Sequence, residues 1–330
     1  MHSRGEVRSF LQSAANYWLS VYHVDGIRMD AISRIIYWQG EPARGVNNNA
    51  VDFIREMNRG LKTLHPTAML SAEDSTSFEG VTKPADQGGL GFDYKWDMGW
   101  MNDTLDYFRT APEYRSRDYH KLTFSMMYYY NDVFLLPLSH DEVVHGKATI
   151  AQKMHGEYEE KFPQARAFYM YMYAHPGKKL NFMGNEIGQL REWDEKREQD
   201  WDILKYPIHD AFHHFMQKLN HLYMTTPALS AKDYENAGFH WLDCHQEERC
   251  IYAFERTDGK ERIAAVFNFS DEDQKGYELP VEDAKELEVI LASDDETFGG
   301  CKKYTKKKVK VTDGKAVLDL SAYSAVYFGI

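Results

Sequence analysis

Charged residues follow three of the apolar segments that the sequence predicts to be buried strands. "GIRMD" ends at Asp30, "AMLSAED" ends at Glu73 and Asp74, and "FLLPLSHDE" carries His140 and Asp141. In a parallel βα barrel the carboxyl ends of all strands open on one face, and active sites lie there. We therefore expect three separate strands to direct Asp30, Glu73 and Asp141 into one pocket.

Converging carboxylates of this kind suit the cleavage of a glycosidic bond with retention of configuration. One carboxylate is then the nucleophile, and the second group, about 5–5.5 Å away, is the proton donor. The donor must stay protonated near neutral pH, which neighbouring negative charge and partial burial favour. Arg28 lies two residues before Asp30 and so on the same side of the strand. We expect Arg28 to hold Asp30 ionised and oriented.

Each of these residues taken alone has a plainer explanation. An aspartate after a strand is usually a helix N-cap or a salt-bridge partner. Glu73 alone would be a solvated loop residue, and His140 alone a structural histidine of the core. A metal site also gathers acids, but the thiol and imidazole ligands are not spaced for one. We therefore predict no metal.

The length, net charge and cysteine content of the chain argue against several classes of protein. The 330 residues carry a net charge of −12, which argues against nucleic acid and anionic membranes as main partners. The three cysteines show no CxxC spacing, which argues against a disulfide framework and favours a reducing, cytoplasmic location. The chain starts without an apolar signal core, and its most apolar stretch is too short to span a bilayer.

Strands alternate with helices up to about residue 230. Apolar spacing predicts helices over 6–22, 51–65, 162–177 and 208–225, with about five strands between and around them. The first helix places Phe10, Ala14, Tyr17, Trp18 and Val21 on one face. This alternation predicts a parallel sheet, an α/β fold in which residues 1–230 form part of a barrel.

The pattern of predicted elements changes near residue 233. Short β-rich segments such as "RIAAVFNF" and "AVYFGI" follow, separated by turn signals such as Asp258-Gly259 and Asp313-Gly314. We predict a small antiparallel β-sandwich domain over residues 231–330.

The segments that carry the charged residues also resemble a known family. "DGIRMDAIS", "LSAEDST" and "PLSHDEVVHGK" resemble three signature regions of the α-amylase superfamily of glycoside hydrolases and transglycosidases. Within it, "SHDEVVHGK" is similar to the 1,4-α-glucan (glycogen) branching enzymes, as are "KKLNFMGNEIGQLREWDE" and "REQDWDIL". The β-rich end matches the all-β domain of the family in place and size.

The resemblance implies a role for each candidate residue. Asp30 would be the nucleophile that forms a β-glucosyl–enzyme intermediate, and Glu73 the general acid and then the general base. Asp141 would stabilise the distorted sugar and its oxocarbenium-like transition state. Arg28 and His140 would be substrate-binding residues, with Arg28 positioning Asp30 and His140 donating a hydrogen bond to the sugar. No cofactor is implied.

The implied reaction is the branching step of glycogen biosynthesis. An α-1,4-glucan would be cleaved and the oligoglucan transferred to a 6-hydroxyl, which gives an α-1,6 branch. Two alternatives stay open: a hydrolase of the same superfamily, of amylase or debranching type, and a catalytically silent glucan-binding fragment. Trp193 and Trp241 could stack on glucan or pack in the core.

The chain departs from the family at its beginning. The first signature region of the family, on barrel strand three, precedes the segment that matches Asp30 and has no counterpart here. The resemblance therefore implies a partial (β/α)8 TIM barrel with about strands 4–8. We expect a fragment of marginal stability that associates readily, with the absent half of the barrel as its candidate partner.

Overall fold

The computed structural model describes residues 4–304 and 308–330, and it shows helices alternating with strands before a run of strands alone. The α-helices of these residues are α1 Gly5–Val21, α2 Ser33–Ile36, α3 Asn48–Leu64, α4 Met98–Arg109, α5 Lys121–Phe124, α6 Ile150–Lys153, α7 Tyr158–Ala174 and α8 Pro207–Thr225. Every helix in this part of the chain is too short or too polar to cross a lipid bilayer.

The first five strands form one parallel sheet, and they are hydrogen-bonded in the order in which they occur along the chain. They are β1 Gly26–Met29, β2 Met69–Ala72, β3 Tyr94–Trp96, β4 Phe134–Leu138 and β5 Lys178–Asn181. The predicted α/β fold, a partial βα barrel followed by an all-β domain, is confirmed.

The chain divides into two compact units. The first unit comprises Met1–Gly99 and Met126–Leu136, and the second comprises Trp100–Ser125 and Pro137–Ile330. The boundary that the sequence predicts near residue 230 lies inside the second unit. It stays a prediction about domain organisation.

The core of the first unit lies between the sheet and helices α1 and α3. Phe53, Ile54 and Met57 of α3 are buried at helical spacing, as the apolar pattern predicts. Helix α1 packs through Leu11, Ala15 and Leu19 on its other side. The apolar face that the sequence picks out is instead turned mostly to solvent: Phe10, Tyr17, Trp18 and Val21 are all at least half exposed, and Ala14 is partly buried.

In the residues that the structure describes, the β domain is a continuous antiparallel sheet of eight strands, which encloses its own apolar core. Its strands are β6 Phe239–Gln246, β7 Ile251–Thr257, β8 Arg262–Asn268, β9 Gln274–Pro280, β10 Glu286–Ala292, β11 Lys308–Thr312, β12 Lys315–Leu320 and β13 Ser324–Gly329. The order in the sheet is β6-β7-β8-β13-β10-β11-β12-β9.

Strands β7 and β8 are buried along almost their whole length, because both of their faces are covered. Ala253 and Val266 point into the core of the β domain. Phe254 and Phe267 alternate with them and meet Tyr171 of helix α7, with ring centroids 6.4 and 5.7 Å apart. Helix α7 is itself buried nearly all round.

A buried ionic cluster lies at the start of β5. The Asp233 carboxylate is bound by Arg256 Nη2 at 2.7 Å and by Lys178 Nζ at 2.9 Å. Arg256 also donates to the carbonyl oxygens of Ala174 and Gly238. The side chains of Asp233 and Arg256 are completely buried, so this cluster ties the helical part of the second unit to the β domain.

Candidate active site

Arg28 brings two of the predicted carboxylates together in the first unit. Its Nη1 donates to Asp30 Oδ1 at 2.9 Å. The same nitrogen also donates to Glu73 Oε2. The sequence predicts the contact with Asp30 but not the one with Glu73, so the guanidinium is shared by both acids.

The strand register explains this meeting. Arg28 lies opposite Ser71 and Met29 opposite Ala72 in the parallel β1–β2 pair. The Glu73 N–H continues the ladder by donating to the Met29 carbonyl at 2.9 Å. Since side chains alternate between the faces of a strand, Arg28, Asp30 and Glu73 project from the same face at the carboxyl ends of their strands.

The two carboxylate oxygens are close to one another because they bind one nitrogen. Two hydrogen bonds to the same atom keep them within about 6 Å, twice a normal hydrogen-bond length. The environments of the two acids differ: the Asp30 side chain is 73% exposed and the Glu73 side chain 19%. The pair therefore combines an accessible carboxylate with a largely buried one.

Trp96 completes this cluster, and the sequence analysis missed it. The Arg28 guanidinium lies over the Trp96 ring, with Cζ 4.4 Å from the centroid. Trp96 is the last residue of β3, as Asp30 and Glu73 directly follow β1 and β2. The sequence was searched for charged residues at the carboxyl ends of the predicted strands. A search for aromatic residues at the same positions would have found Trp96.

Of the two plainer explanations of Asp30, the helix cap does not fit the structure, whereas the salt-bridge partner does. Helix α2 has Ile32 as its N-cap residue and no side-chain cap hydrogen bond. Asp30 is instead part of a salt bridge with Arg28.

The other two predicted residues lie together in the second unit. His140 and Asp141 open a short 3₁₀ turn directly after β4. The Ser139 hydroxyl caps this turn by accepting from the Asp141 N–H at 3.3 Å. His140 Nε2 and Asp141 Oδ1 are 3.4 Å apart, and the side chains are 38% and 45% exposed. His140 is thus not a buried core histidine.

Trp193 is an aromatic neighbour of His140, as is Phe182, whose ring centroid lies 5.9 Å from that of His140. The His140 and Trp193 ring centroids are 6.2 Å apart at 78°, and the Trp193 ring also meets Phe182 edge-on at 5.2 Å. Trp241 packs against Phe239 and Phe254 of the β domain. Trp193 therefore belongs to the surroundings of the candidate site, whereas Trp241 belongs to the packing of the β domain.

The structure thus brings Arg28, Asp30 and Glu73 together in one unit and His140 and Asp141 together in the other. The convergence of all three acids on one pocket stays a prediction. In residues 4–304 and 308–330, no three His, Cys, Asp or Glu side chains are grouped so that they could hold a metal ion.

Two family models match the chain that carries this carboxylate pair at the ends of parallel strands. Residues 1–273 match the catalytic domain of α-amylase, and residues 241–330 match the α-amylase C-terminal all-β domain. The chain belongs to the α-amylase family.

Within the family, the chain is similar to curated proteins of one kind. The chain is 42% identical over 307 residues to the 1,4-α-glucan branching enzymes GlgB of Bacillus cereus (strain G9842) and Bacillus thuringiensis subsp. konkukian (strain 97-27). These matches cover 92% of this chain and 48% of each relative, so the chain spans about half the length of the curated relatives it matches.

A solved structure shares the fold. The crystal structure of an Anoxybacillus α-amylase superposes with a TM-score of 0.63 at 17% identity, covering all of this chain and 64% of the other.

Proposed function

We propose that this chain carries catalytic machinery of a 1,4-α-glucan branching enzyme that acts in glycogen biosynthesis. It would cleave an α-1,4-glucosidic bond and transfer the oligoglucan to the 6-hydroxyl of another chain by a retaining double displacement. The proposal rests on the shared contacts of Arg28 with Asp30 and Glu73. It is supported by the similarity to relatives that are named branching enzymes.

The spacing of the two acids supports retention rather than inversion. Inverting glycosidases keep their carboxyl groups about 6.5–9.5 Å apart to admit a water, whereas retaining ones keep them about 5–5.5 Å apart. Two oxygens held by one guanidinium nitrogen are within about 6 Å, which fits the retaining spacing.

The difference in exposure supports a division of roles within the pair. The accessible Asp30 would attack the anomeric carbon and form the β-glucosyl–enzyme bond. The largely buried Glu73 would protonate the leaving glucosidic oxygen and then deprotonate the acceptor 6-hydroxyl. Arg28, stacked on Trp96, would hold both carboxylates in place during the two steps.

His140 and Asp141 would act on the sugar that reacts. Asp141 would stabilise the oxocarbenium-like transition state, and His140 would donate a hydrogen bond to the same sugar. Their half-exposed side chains leave both groups accessible to a ligand. The substrate would be an α-1,4-glucan such as glycogen or amylose, with the remaining barrel strands supplied by a further segment of the family's catalytic domain.

Branching of amylose tests this proposal. The chain would be assayed alone and mixed with the N-terminal segment of the B. cereus relative, following the loss of iodine-complex absorbance and the chains released by isoamylase. We expect new α-1,6 linkages, abolished by Asp30→Asn. Asp25→Asn is the matched control, because Asp25 is exposed at the other end of the same strand.

The products separate the candidate functions. Free reducing ends without new branches would identify a hydrolase. Retention on a glucan-affinity gel without turnover, unchanged by Asp30→Asn, would identify a silent glucan-binding fragment. Either result would overturn the branching proposal.

A further inference from the structure

The loop after Asp141 has an unusual backbone. His145, Gly146 and Ala148 all have positive φ angles, of 59°, 78° and 65°. Such angles are unfavourable for His and Ala, by about 1–3 kcal/mol each, and persist only where the surroundings enforce them. Residues with positive φ on either side of a residue with negative φ, as Gly146 and Ala148 lie on either side of Lys147, turn successive N–H groups inwards and form a concave site for an anion, a nest.

A carboxylate of the same chain fills this nest. Glu192 Oε2 accepts from the Gly146 N–H at 2.9 Å, and Oε1 accepts from the Ala148 N–H at 2.7 Å. These two backbone hydrogen bonds lower the pKa of Glu192, so the carboxylate is ionised at neutral pH. The next residue adds a third link, because the Trp193 N–H donates to the Val143 carbonyl at 2.9 Å.

The other side of the loop is closed by a buried lysine. Lys153 Nζ donates to the Ala148 carbonyl at 2.6 Å and also to the Glu142 carbonyl, which bridges the two ends of the loop. Lys147 pairs with the Glu142 carboxylate at 3.1 Å. The loop is therefore held from both sides, and Glu192 is the acceptor for the N–H groups of Gly146 and Ala148.

These contacts surround the candidate residues His140 and Asp141. The loop continues directly from their 3₁₀ turn, and Trp193 meets the His140 ring. We propose that Glu192 is a positioning residue, which fixes the His140–Asp141 turn by filling the backbone nest at residues 146–148. The assignment extends the proposed function, on which its catalytic consequence rests.

Glu192→Gln tests the assignment. The amide keeps one acceptor oxygen but turns an NH₂ group towards one of the two N–H donors, so one link is lost. Glu195→Gln is the matched control, since Glu195 is exposed on the same segment. We expect the Gly146 and Ala148 amides to exchange with deuterium at least tenfold faster in Glu192→Gln, and unchanged in the control.

A second readout follows His140 itself. In ¹⁵N-histidine-labelled chain, the His140 ring signal, assigned with His140→Gln, should shift or broaden in Glu192→Gln only. In the branching assay the same variant should lower kcat about tenfold with little change in KM, because small displacements of catalytic groups slow the chemical step. Glu192→Asp should recover part of each effect.

The results distinguish the two proposals. Unchanged amide exchange or an unchanged His140 signal in Glu192→Gln would overturn the positioning role, whether or not the chain branches glucan. Disturbed exchange and His140 signal with wild-type kcat would overturn it as well. If the wild-type mixture makes no branches, the proposed function fails, and the exchange and ring signals alone decide whether Glu192 fixes the turn.

Discussion

Two charged clusters of this molecule have opposite compositions. In the first unit one cation, Arg28, contacts two carboxylates, Asp30 and Glu73. In the second unit one carboxylate, Asp233, contacts two cations, Lys178 and Arg256. The first cluster has an excess of negative charge and an exposed member, and the second has an excess of positive charge around a completely buried acid.

The difference separates a cluster suited to reaction from one suited to stability. An excess of negative charge beside an accessible carboxylate can stabilise a developing oxocarbenium ion or take up a proton. The buried cluster works in the opposite sense. Burial raises the pKa of Asp233, but Lys179, Arg256 and Lys178 together outweigh burial and lower it overall. Asp233 therefore stays ionised and holds the cations in place.

The largest effect should come from the buried cluster. Asp233→Ala leaves Arg256 buried without its carboxylate, which should cost about 3–5 kcal/mol of unfolding free energy. Urea denaturation would measure this. Glu278→Ala is the matched control, because its pair with Lys315 is exposed to solvent and should contribute little to the unfolding free energy. Equal losses in both variants would remove the contrast between buried and exposed pairs.

Under the proposed function, the cluster of Arg28, Asp30 and Glu73 should respond in activity instead. Arg28→Ala removes the shared donor of Asp30 and Glu73, and we expect kcat to fall about 10²–10³-fold, as for other preorganised donors. The branching assay would measure this, with Arg34→Ala as an exposed control on α2. Arg28→Lys should retain part of the activity, because both acids bind a single nitrogen. Wild-type turnover in Arg28→Ala would show that the cluster is structural.

A smaller, pH-dependent effect should come from His175, close to the buried cluster. Its Nδ1 donates to the Pro176 carbonyl at 2.8 Å, and its Nε2 is 2.9 Å from the Ser125 hydroxyl. Burial lowers the pKa of His175 to about 3, from an ordinary value of 6.5. Below pH 6.5 the unfolded chain therefore binds a proton that the folded chain does not, so this contribution to stability is lost as the pH falls.

The size of this effect follows from the linkage. Between pH 6.5 and 5 the His175 contribution should fall by about 1–2 kcal/mol, because the slope reaches about 1.4 kcal/mol per pH unit only once the unfolded histidine is fully protonated. Urea unfolding of wild type and His175→Gln at both pH values would measure it. The variant lacks the histidine, so its unfolding free energy should change less between the two pH values. His240→Gln, at an exposed position, is the control. If the unfolding free energy of wild type and of His175→Gln changed equally with pH, His175 would not be held neutral in the folded chain.

Much of the fold and part of the site could be predicted from the sequence. Period and turn signals indicate the five parallel strands and the β domain, because each element carries its own pattern. Asp30 and Glu73 could be paired because parallel strands place their carboxyl ends on one edge. The sharing of Arg28 by both acids depends on strand register, which no local pattern contains.

The orientation of helix α1 and the role of Glu192 could not be predicted from the sequence. Helix α1 has apolar residues on more than one face, so its period could not show that Leu19 packs inward while Trp18 faces solvent. Glu192 was missed for a different reason. It binds backbone N–H groups, and a nest is formed by φ angles rather than by residue types.

The doubly covered β7–β8 pair limits how this protein could be recombined. A module can be exchanged between proteins when its joining surface is polar and tolerates a new neighbour. Here Phe254 and Phe267 form that surface together with Tyr171. A chimera that replaced residues 231–330 alone would join two aromatic surfaces shaped for other partners. A chimera that folds should therefore exchange helix α7 together with the β domain. The segment that can be exchanged as one piece is larger than residues 231–330.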